Sequence, residues 1–156
     1  MNKESPVLII KLGALGDFVQ ALGPFNAIRK HHASQKIVLL TTPPFVPLAK
    51  ASGYFDYIHA ERRPAWWQLN TILKLRRWLR NLNPERVYDL QTSDRSNAYF
   101  KLFGSPKPEW SGIARGCSHP HANPHRDNMH TIERQAEQLA IAGVKVNSGF
   151  DRHWLD

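Results

Sequence analysis

The chain has 156 residues, 42% of them hydrophobic, which suits one folded domain with a substantial core. Its 21 Lys and Arg against 13 Asp and Glu give a formal net charge of +8, which favours anionic partners such as nucleic acid, phosphorylated sugars or an acidic membrane face. A single cysteine, Cys117, excludes an intrachain disulfide and favours a reducing compartment. No apolar run approaches the roughly 20 residues that span a bilayer, and the run near the N-terminus breaks at Lys11, so it makes a poor signal peptide.

Apolar strand-like segments alternate with helical segments along the chain. The first part predicts, in order, a strand over 6–12, a helix over 17–32 kinked at Pro24, a strand over 36–41, a short proline-started helix over 43–52 and a strand over 55–60. The second part predicts a helix over 66–82, a strand over 86–90, a helix over 94–103, a strand over 109–113, a polar loop over 114–128 and a helix over 129–143 ended by Gly143. In the helix over 66–82, one apolar face is predicted to hold Leu69, Ile72, Leu75, Leu79 and Leu82, with Lys74, Arg77 and Arg80 pointing away.

This alternation predicts βαβ units and hence an α/β fold with a parallel sheet. Ligands of such sheets bind outside the carboxyl ends of the strands. Polar residues that follow the predicted strands are therefore the candidate site residues: Asp17, Thr41, Thr42, Arg62, Arg63, Gln91, Asp94, Arg95 and Arg115.

The turn after the first strand, "KLGALGD", contains Gly13 and Gly16 but no G-x-G-x-x-G pattern. Asp17 stands where the N-terminus of the following helix would receive a phosphate, and a carboxylate there repels anions and competes for the free N–H groups. Two interpretations remain open from the residues alone. Asp17 is an ordinary helix cap or first-turn acid, or it is a general base aimed into the cleft.

Basic residues dominate the segment over 61–86, with seven basic and two acidic residues. Such a run is typical of a solvated helix face. Arg62 and Arg63 differ because they directly follow the third strand, where paired arginines suit a carboxylate or phosphate.

The loop over 114–128 and its flank contain Cys117, His119, His121, His125 and His130. Their spacing matches no zinc pattern, which favours a polar loop over a metal site. Trp66, Trp67 and Trp110 suit either sugar stacking or core packing. A basic α/β domain that binds nucleic acid or another anion without catalysis is the alternative function, although the sequence contains no nucleic-acid-binding module.

Four stretches, "VLIIKLGALGDFVQALGPFNAIRKHH", "KIVLLTTPPF", "YDLQTSDRS" and "HTIERQAEQL", together resemble the N-terminal half of the heptosyltransferase-like glycosyltransferases of family 9, which build the lipopolysaccharide core. The resemblance runs over nearly the whole chain, and "KLGALGD" is its most specific part. It implies a Rossmann-like parallel sheet with helices on both faces, forming the acceptor-side half of an inverting, metal-independent, two-domain GT-B enzyme without a cofactor. The nucleotide-sugar half is then absent from residues 1–156, and the chain alone is expected to be inactive.

The resemblance also implies roles for particular residues. Asp17 falls on the catalytic aspartate of the family, which deprotonates the acceptor hydroxyl. The donor is expected to be ADP-heptose or a similar nucleotide-sugar held by the other domain, and the acceptor an anionic lipopolysaccharide core. The enzyme is expected in the cytoplasm, with peripheral contact to the inner membrane and no nucleic-acid partner. The residues expected to bind the acceptor are Lys11, Gly13, Gly16, Arg62, Arg63, Gln91, Asp94, Arg95 and Arg115.

Overall fold

A computed structural model describes residues 5–146 other than Trp66. Its centre is a six-stranded sheet in which every paired neighbour is parallel, in the order β3-β2-β1-β4-β5-β6. The strands are β1 Val7–Ile10, β2 Ile37–Thr41, β3 Tyr57–Ala60, β4 Arg86–Asp89, β5 Glu109–Gly112 and β6 His119–Pro120. The predicted α/β class, its parallel sheet and its first five strands are confirmed.

Helices connect the strands and cover both faces of the sheet. They are α1 Leu15–Gln20, α2 Leu22–His31, α3 Val46–Ser52, α4 Leu69–Leu82, α5 Asp94–Leu102 and α6 Thr131–Ile141, with 3-10 turns at Pro43–Phe45 and Arg126–Asn128. One core packs Val7, Ile9 and Leu39 against α1, α2, α3 and α6. The other packs Leu8, Ile10 and Leu40 against α4 and α5. Successive residues of a strand point to opposite faces, which explains why the central strands are apolar at every position.

The helix predicted over 17–32 is two helices, and the predicted kink at Pro24 is wrong. The break lies at Ala21, whose N–H bonds back to Asp17 O and Phe18 O at 3.1 Å each and whose carbonyl accepts from Phe25 N at 2.8 Å. Pro24 occupies the first turn of α2, where a helix does not require the missing N–H.

Two further expectations differ from the structure. Part of the loop predicted over 114–128 forms β6, a two-residue strand that pairs with β5. Leu69, predicted on the buried face of α4, is exposed, whereas Leu75 and Leu79 are buried as expected. A residue at the first position of a helix can extend past the edge of the sheet beneath it, and periodicity alone does not reveal that.

Candidate functional site

The carboxyl ends of β1 and β4 lie side by side at the centre of the sheet. After β1 the chain enters α1 and α2 on one face, and after β4 it enters α5 on the other. The two loops therefore diverge and open a crevice, the position at which parallel α/β sheets bind ligands. Three of the expected site residues, Lys11, Gly13 and Gln91, belong to these two loops, and Asp17 lies in the first turn of the helix that follows the first loop.

The turn after β1 is held by side chains from three other segments. The N–H groups of Leu12 and Gly13 donate to Gln91 Oε1 at 2.9 and 3.3 Å. The Leu12 carbonyl accepts from Thr42 Oγ1 at 2.7 Å and from Arg63 Nη2 at 3.3 Å. The structure thus brings Gln91, Thr42 and Arg63 together around this turn, as their shared place at the strand ends predicts.

Gly13 is required by the shape of this turn. Its φ is +144°, in a region that favours glycine. A Cβ atom there would lie 2.9 Å from Phe45 Cε2 and 3.3 Å from Arg63 Nη2. Gly16, in contrast, lies in α1 with open space around the position of a Cβ atom. The two glycines of the motif therefore have different roles, and Gly13 is the one that shapes the site.

Asp17 lies in the first turn of α1 with its side chain exposed. The next residue, Phe18, is fully buried, stacks on Phe45 with ring centroids 5.1 Å apart and packs edge-on against Phe25 at 5.4 Å. Because adjacent helical residues point about 100° apart, this anchoring of Phe18 turns Asp17 away from the core. The N-cap of α1 is Ala14, so Asp17 is a first-turn acid rather than the capping residue.

Two oppositely charged residues are buried beneath the crevice. Lys11 Nζ donates to Leu90 O at 3.1 Å, and burial lowers the pKa of Lys11, while the carboxylates of Asp17 and Asp89 act to raise it. Asp89 Oδ1 accepts from Gln91 N at 3.1 Å and Thr92 N at 2.9 Å.

Burial raises the pKa of Asp89 to about 6, although the backbone N–H groups of Thr92 and Gln91, the nearby Ser96 hydroxyl and the charge of Lys11 act to lower it. The Ser96 hydroxyl donates to Ser93 O at 3.1 Å. Asp89 Oδ2 is buried and has no hydrogen-bond partner among the described residues.

The remaining expected residues divide into tethered and exposed side chains. Arg95 Nη1 donates to Pro64 O at 2.8 Å, which ties the start of α5 to the loop of Arg62 and Arg63. Arg62, Asp94 and Arg115 are exposed at the same edge of the sheet, on the loop after β3, in the first turn of α5 and on the loop after β5.

The site also includes basic residues that the sequence analysis missed. They are Arg126 and Arg134, which lies near the start of α6. Burial lowers the pKa of Lys11 and of Arg126, and the positive charge of Arg134 lowers both further. Arg126 Nε contacts His121 Nδ1 at 3.1 Å. Because α6 follows the last strand of a parallel sheet, its first turn must lie at the carboxyl edge, and this rule could have identified Arg134.

The histidine-rich loop forms a hydrogen-bonded network in the structure. His121 is buried and its Nε2 lies 2.9 Å from Glu137 Oε1, which also accepts from Asn123 Nδ2 at 2.9 Å. Among the described residues, no group of three or more His, Cys, Asp or Glu could hold a metal ion. Trp110 is fully buried in the core and Trp67 is exposed, whereas Trp66 lies outside the described residues.

Comparison with solved structures shows that the chain has the fold of the heptosyltransferase-like glycosyltransferases of family 9. A glycosyl transferase of family 9 from Veillonella parvula aligns with a TM-score of 0.73 and 17% identity over 96% of this chain and 46% of that chain. The structure of E. coli heptosyltransferase WaaC in complex with ADP-2-deoxy-2-fluoro heptose aligns with a TM-score of 0.71 and 18% identity over 96% of this chain and 52% of that chain. The structure of WaaC in complex with ADP aligns with a TM-score of 0.68 and 19% identity over 92% of this chain and 49% of that chain.

The chain thus spans about half the length of the solved structures it resembles. No protein-family model and no curated protein matches the sequence.

The contrast between the two glycines yields a direct test of the turn. Gly13→Ala should lower the free energy of unfolding by about 1–3 kcal/mol, because the residue adopts a positive φ and its Cβ atom would press on Phe45. Gly16→Ala, in an open helical position, should leave stability unchanged or raise it by up to about 1 kcal/mol. Urea unfolding of both variants measures the difference, and equal effects would contradict the assigned role of Gly13.

Asp89 should make stability depend on pH. Its pKa rises from 3.8 to about 6 on folding, so its stabilising contribution is complete below pH 4 and is lost as the pH rises through 6. Asp89→Asn keeps an oxygen acceptor but does not titrate. The free energy of unfolding of the parent chain, relative to Asp89→Asn, should fall by up to about 3 kcal/mol between pH 4 and pH 7.

Urea unfolding across this pH range tests the expectation. Asp127→Asn is the matched control, because the Asp127 side chain is 93% exposed. Its difference from the parent chain should stay flat, and an equally flat difference for Asp89→Asn would contradict the raised pKa.

Proposed function

We propose that this chain is the acceptor-binding domain of an inverting glycosyltransferase that moves a sugar from a nucleotide-sugar, such as ADP-heptose, to an anionic lipopolysaccharide core. The observation that carries the proposal is the exposed carboxylate of Asp17 at the central crevice of a family 9 glycosyltransferase fold. The solved WaaC complexes with ADP and with ADP-2-deoxy-2-fluoro heptose support a nucleotide-sugar donor.

Asp17 is the proposed general base. Its carboxylate accepts the proton of an acceptor hydroxyl while that oxygen forms a bond to the anomeric carbon of the donor sugar. The bond from the anomeric carbon to the phosphate oxygen breaks on the opposite face, and the nucleoside diphosphate leaves with the electron pair. Exposure suits this role, because the base must reach a substrate that enters from solvent or from a second domain.

The acceptor's negative charge is the proposed partner of the basic edge. Arg62 and Arg63 follow β3 on the loop that reaches the Asp17 turn, since Arg63 Nη2 contacts Leu12 O at 3.3 Å. A guanidinium grips a carboxylate with two parallel N–H bonds, which orients the sugar as well as attracting it. Arg115, Lys11, Arg126 and Arg134 add positive charge at the same edge.

The proposed setting is the cytoplasm, at the inner face of the inner membrane, where a lipid-linked acceptor would be met. None of the helices in residues 5–146 is both long and apolar enough to cross a bilayer. In this proposal the donor-binding domain is supplied outside residues 1–156, and purified chain alone transfers no sugar.

The arginine pair is tested by titrating the chain with a core fragment that carries a carboxylated sugar, by calorimetry or NMR. At the engaged position, Arg→Lys should weaken binding nearly as much as Arg→Ala, because lysine keeps the charge but loses the planar fork. Lys30→Ala, which removes an exposed charge from the far end of α2, is the control. If all four arginine variants bind like the parent chain, the pair is only a solvated surface.

The general base is tested in the enzyme that contains this domain together with its donor-binding domain. Asp17→Asn should lower kcat roughly 10²-fold or more, since the amide cannot accept the proton, and acceptor affinity should change little. Asp127→Asn, on an exposed 3-10 turn, should leave kcat unchanged. Turnover of Asp17→Asn close to that of the parent enzyme would leave Asp17 as a first-turn helix acid.

A further inference from the structure

The outer face of α4 carries positive charge without any negative charge. Lys74, Arg76, Arg77 and Arg80 are all exposed, and the helix contains no Asp or Glu. None of the ion pairs among the described residues includes these four side chains. Oppositely charged pairs three or four residues apart stabilise a solvated helix face, and α4 contains no such pair.

Large apolar side chains are exposed at the N-terminal end of α4 and just before it. Trp67, just before the helix, is 84% exposed, Leu69 is 65% exposed and Leu73 is 49% exposed. Leu73 lines a shallow groove of about 290 Å³ together with Arg76, Arg77 and Arg80. Apolar and cationic side chains are therefore neighbours on one surface, which we name the α4 face: Trp67, Leu69, Leu73, Lys74, Arg76, Arg77 and Arg80.

We infer that the α4 face docks on an anionic lipid surface. Arginine and lysine near such a surface are attracted to acidic headgroups, while tryptophan and leucine enter the boundary between headgroups and acyl chains. A second copy of this chain is a poor occupant, since it would bring four cations against four. Nucleic acid would satisfy the cations but would give Leu69 and Leu73 nothing to bury against.

The geometry of the fold gives this docking a consequence. The loop that leads into α4 carries Arg62 and Arg63. Two hydrogen bonds fix this loop to the crevice: Arg63 donates to Leu12 O, and Pro64 O accepts from Arg95. The apolar end of the α4 face is thus the end next to the carboxyl edge of the sheet. Docking would hold the crevice beside the lipid surface, within reach of a lipid-linked acceptor, a consequence that rests on the proposed function.

Co-sedimentation with lipid vesicles tests the inference without any sugar donor or acceptor, so its outcome is independent of the proposed transfer reaction. The chain should bind phosphatidylcholine vesicles containing about one third phosphatidylglycerol at roughly 0.15 M salt, and should not bind pure phosphatidylcholine. Arg76→Glu with Arg77→Glu should lower the partition coefficient at least tenfold. Absence of binding to the anionic vesicles would overturn the inference.

The control for charge is Lys30→Glu with Lys50→Glu, on α2 and α3 in the opposite helix layer. Each double variant lowers the net charge from +8 to +4, because two cations become two anions (8 − 4 = 4). The control should keep binding within about threefold of the parent chain. An equal loss in both variants would mean attraction by net charge alone and would overturn the α4 face as the docking surface.

The apolar contribution is tested by Leu69→Ser with Leu73→Ser against Ile132→Ser with Ile141→Ser, since both isoleucines are 46% exposed on α6. The fraction of parent chain that stays bound to vesicles at roughly 0.5 M salt should be lost only in the variant with both leucines of α4 replaced. Circular dichroism establishes that all variants are folded. Binding to double-stranded DNA or RNA that matches vesicle binding at the same salt, or persistence of salt-resistant binding in the leucine variant, would overturn the lipid assignment.

Discussion

The pairing of β1 with β4 is the constraint on which the candidate site depends. Ile10 lies opposite Asp89, and beyond this pair the two segments of the chain turn toward opposite faces of the sheet. Their backbone groups then lose strand partners while still buried, and buried polar groups must be satisfied. Side chains take over: Lys11 Nζ binds Leu90 O, and Gln91 Oε1 accepts from Leu12 N and Gly13 N. The shape of the crevice follows from these side-chain hydrogen bonds, which replace the hydrogen bonds between strands.

These contacts also explain why the turn after β1 suits an acid better than a phosphate. A phosphate cradle needs unoccupied backbone N–H groups pointing at the ligand. Here the N–H groups of Leu12 and Gly13 are already bonded to the Gln91 amide, and Asp17 adds negative charge one turn later. Anion binding is therefore opposed by both geometry and charge, which supports placing the donor phosphates elsewhere in the proposed enzyme.

The sequence predicted the strands and the carboxyl edge because both depend on local patterns: short apolar runs, and polar residues directly after them. It did not predict the break at Ala21, because alanine favours helix and is not a helix-ending residue. Pro24, which usually kinks a helix interior, lies instead in the first turn of α2. It missed β6, whose two residues pair only because β5 offers a free edge. The exposure of Leu69 and the position of Arg126 depend on how helices and loops are placed over the sheet, which is a tertiary property. Arg134, in contrast, could have been identified from its position near the start of α6.

The structure finally separates residues that build the crevice from residues that can meet a substrate. Lys11, Arg63 and Arg95 were all expected to bind the acceptor, yet each donates to a backbone carbonyl, of Leu90, Leu12 and Pro64 respectively. Their positive charge still reaches the crevice, but part of their hydrogen-bonding capacity maintains the loops. Among the expected site residues, exposed charge at the edge lies on Asp17, Arg62, Asp94, Arg115 and the tethered Arg63. In the proposed function these exposed side chains are the ones available to a substrate, and Asp17 lies in the first turn of the helix that follows the turn held by Gln91.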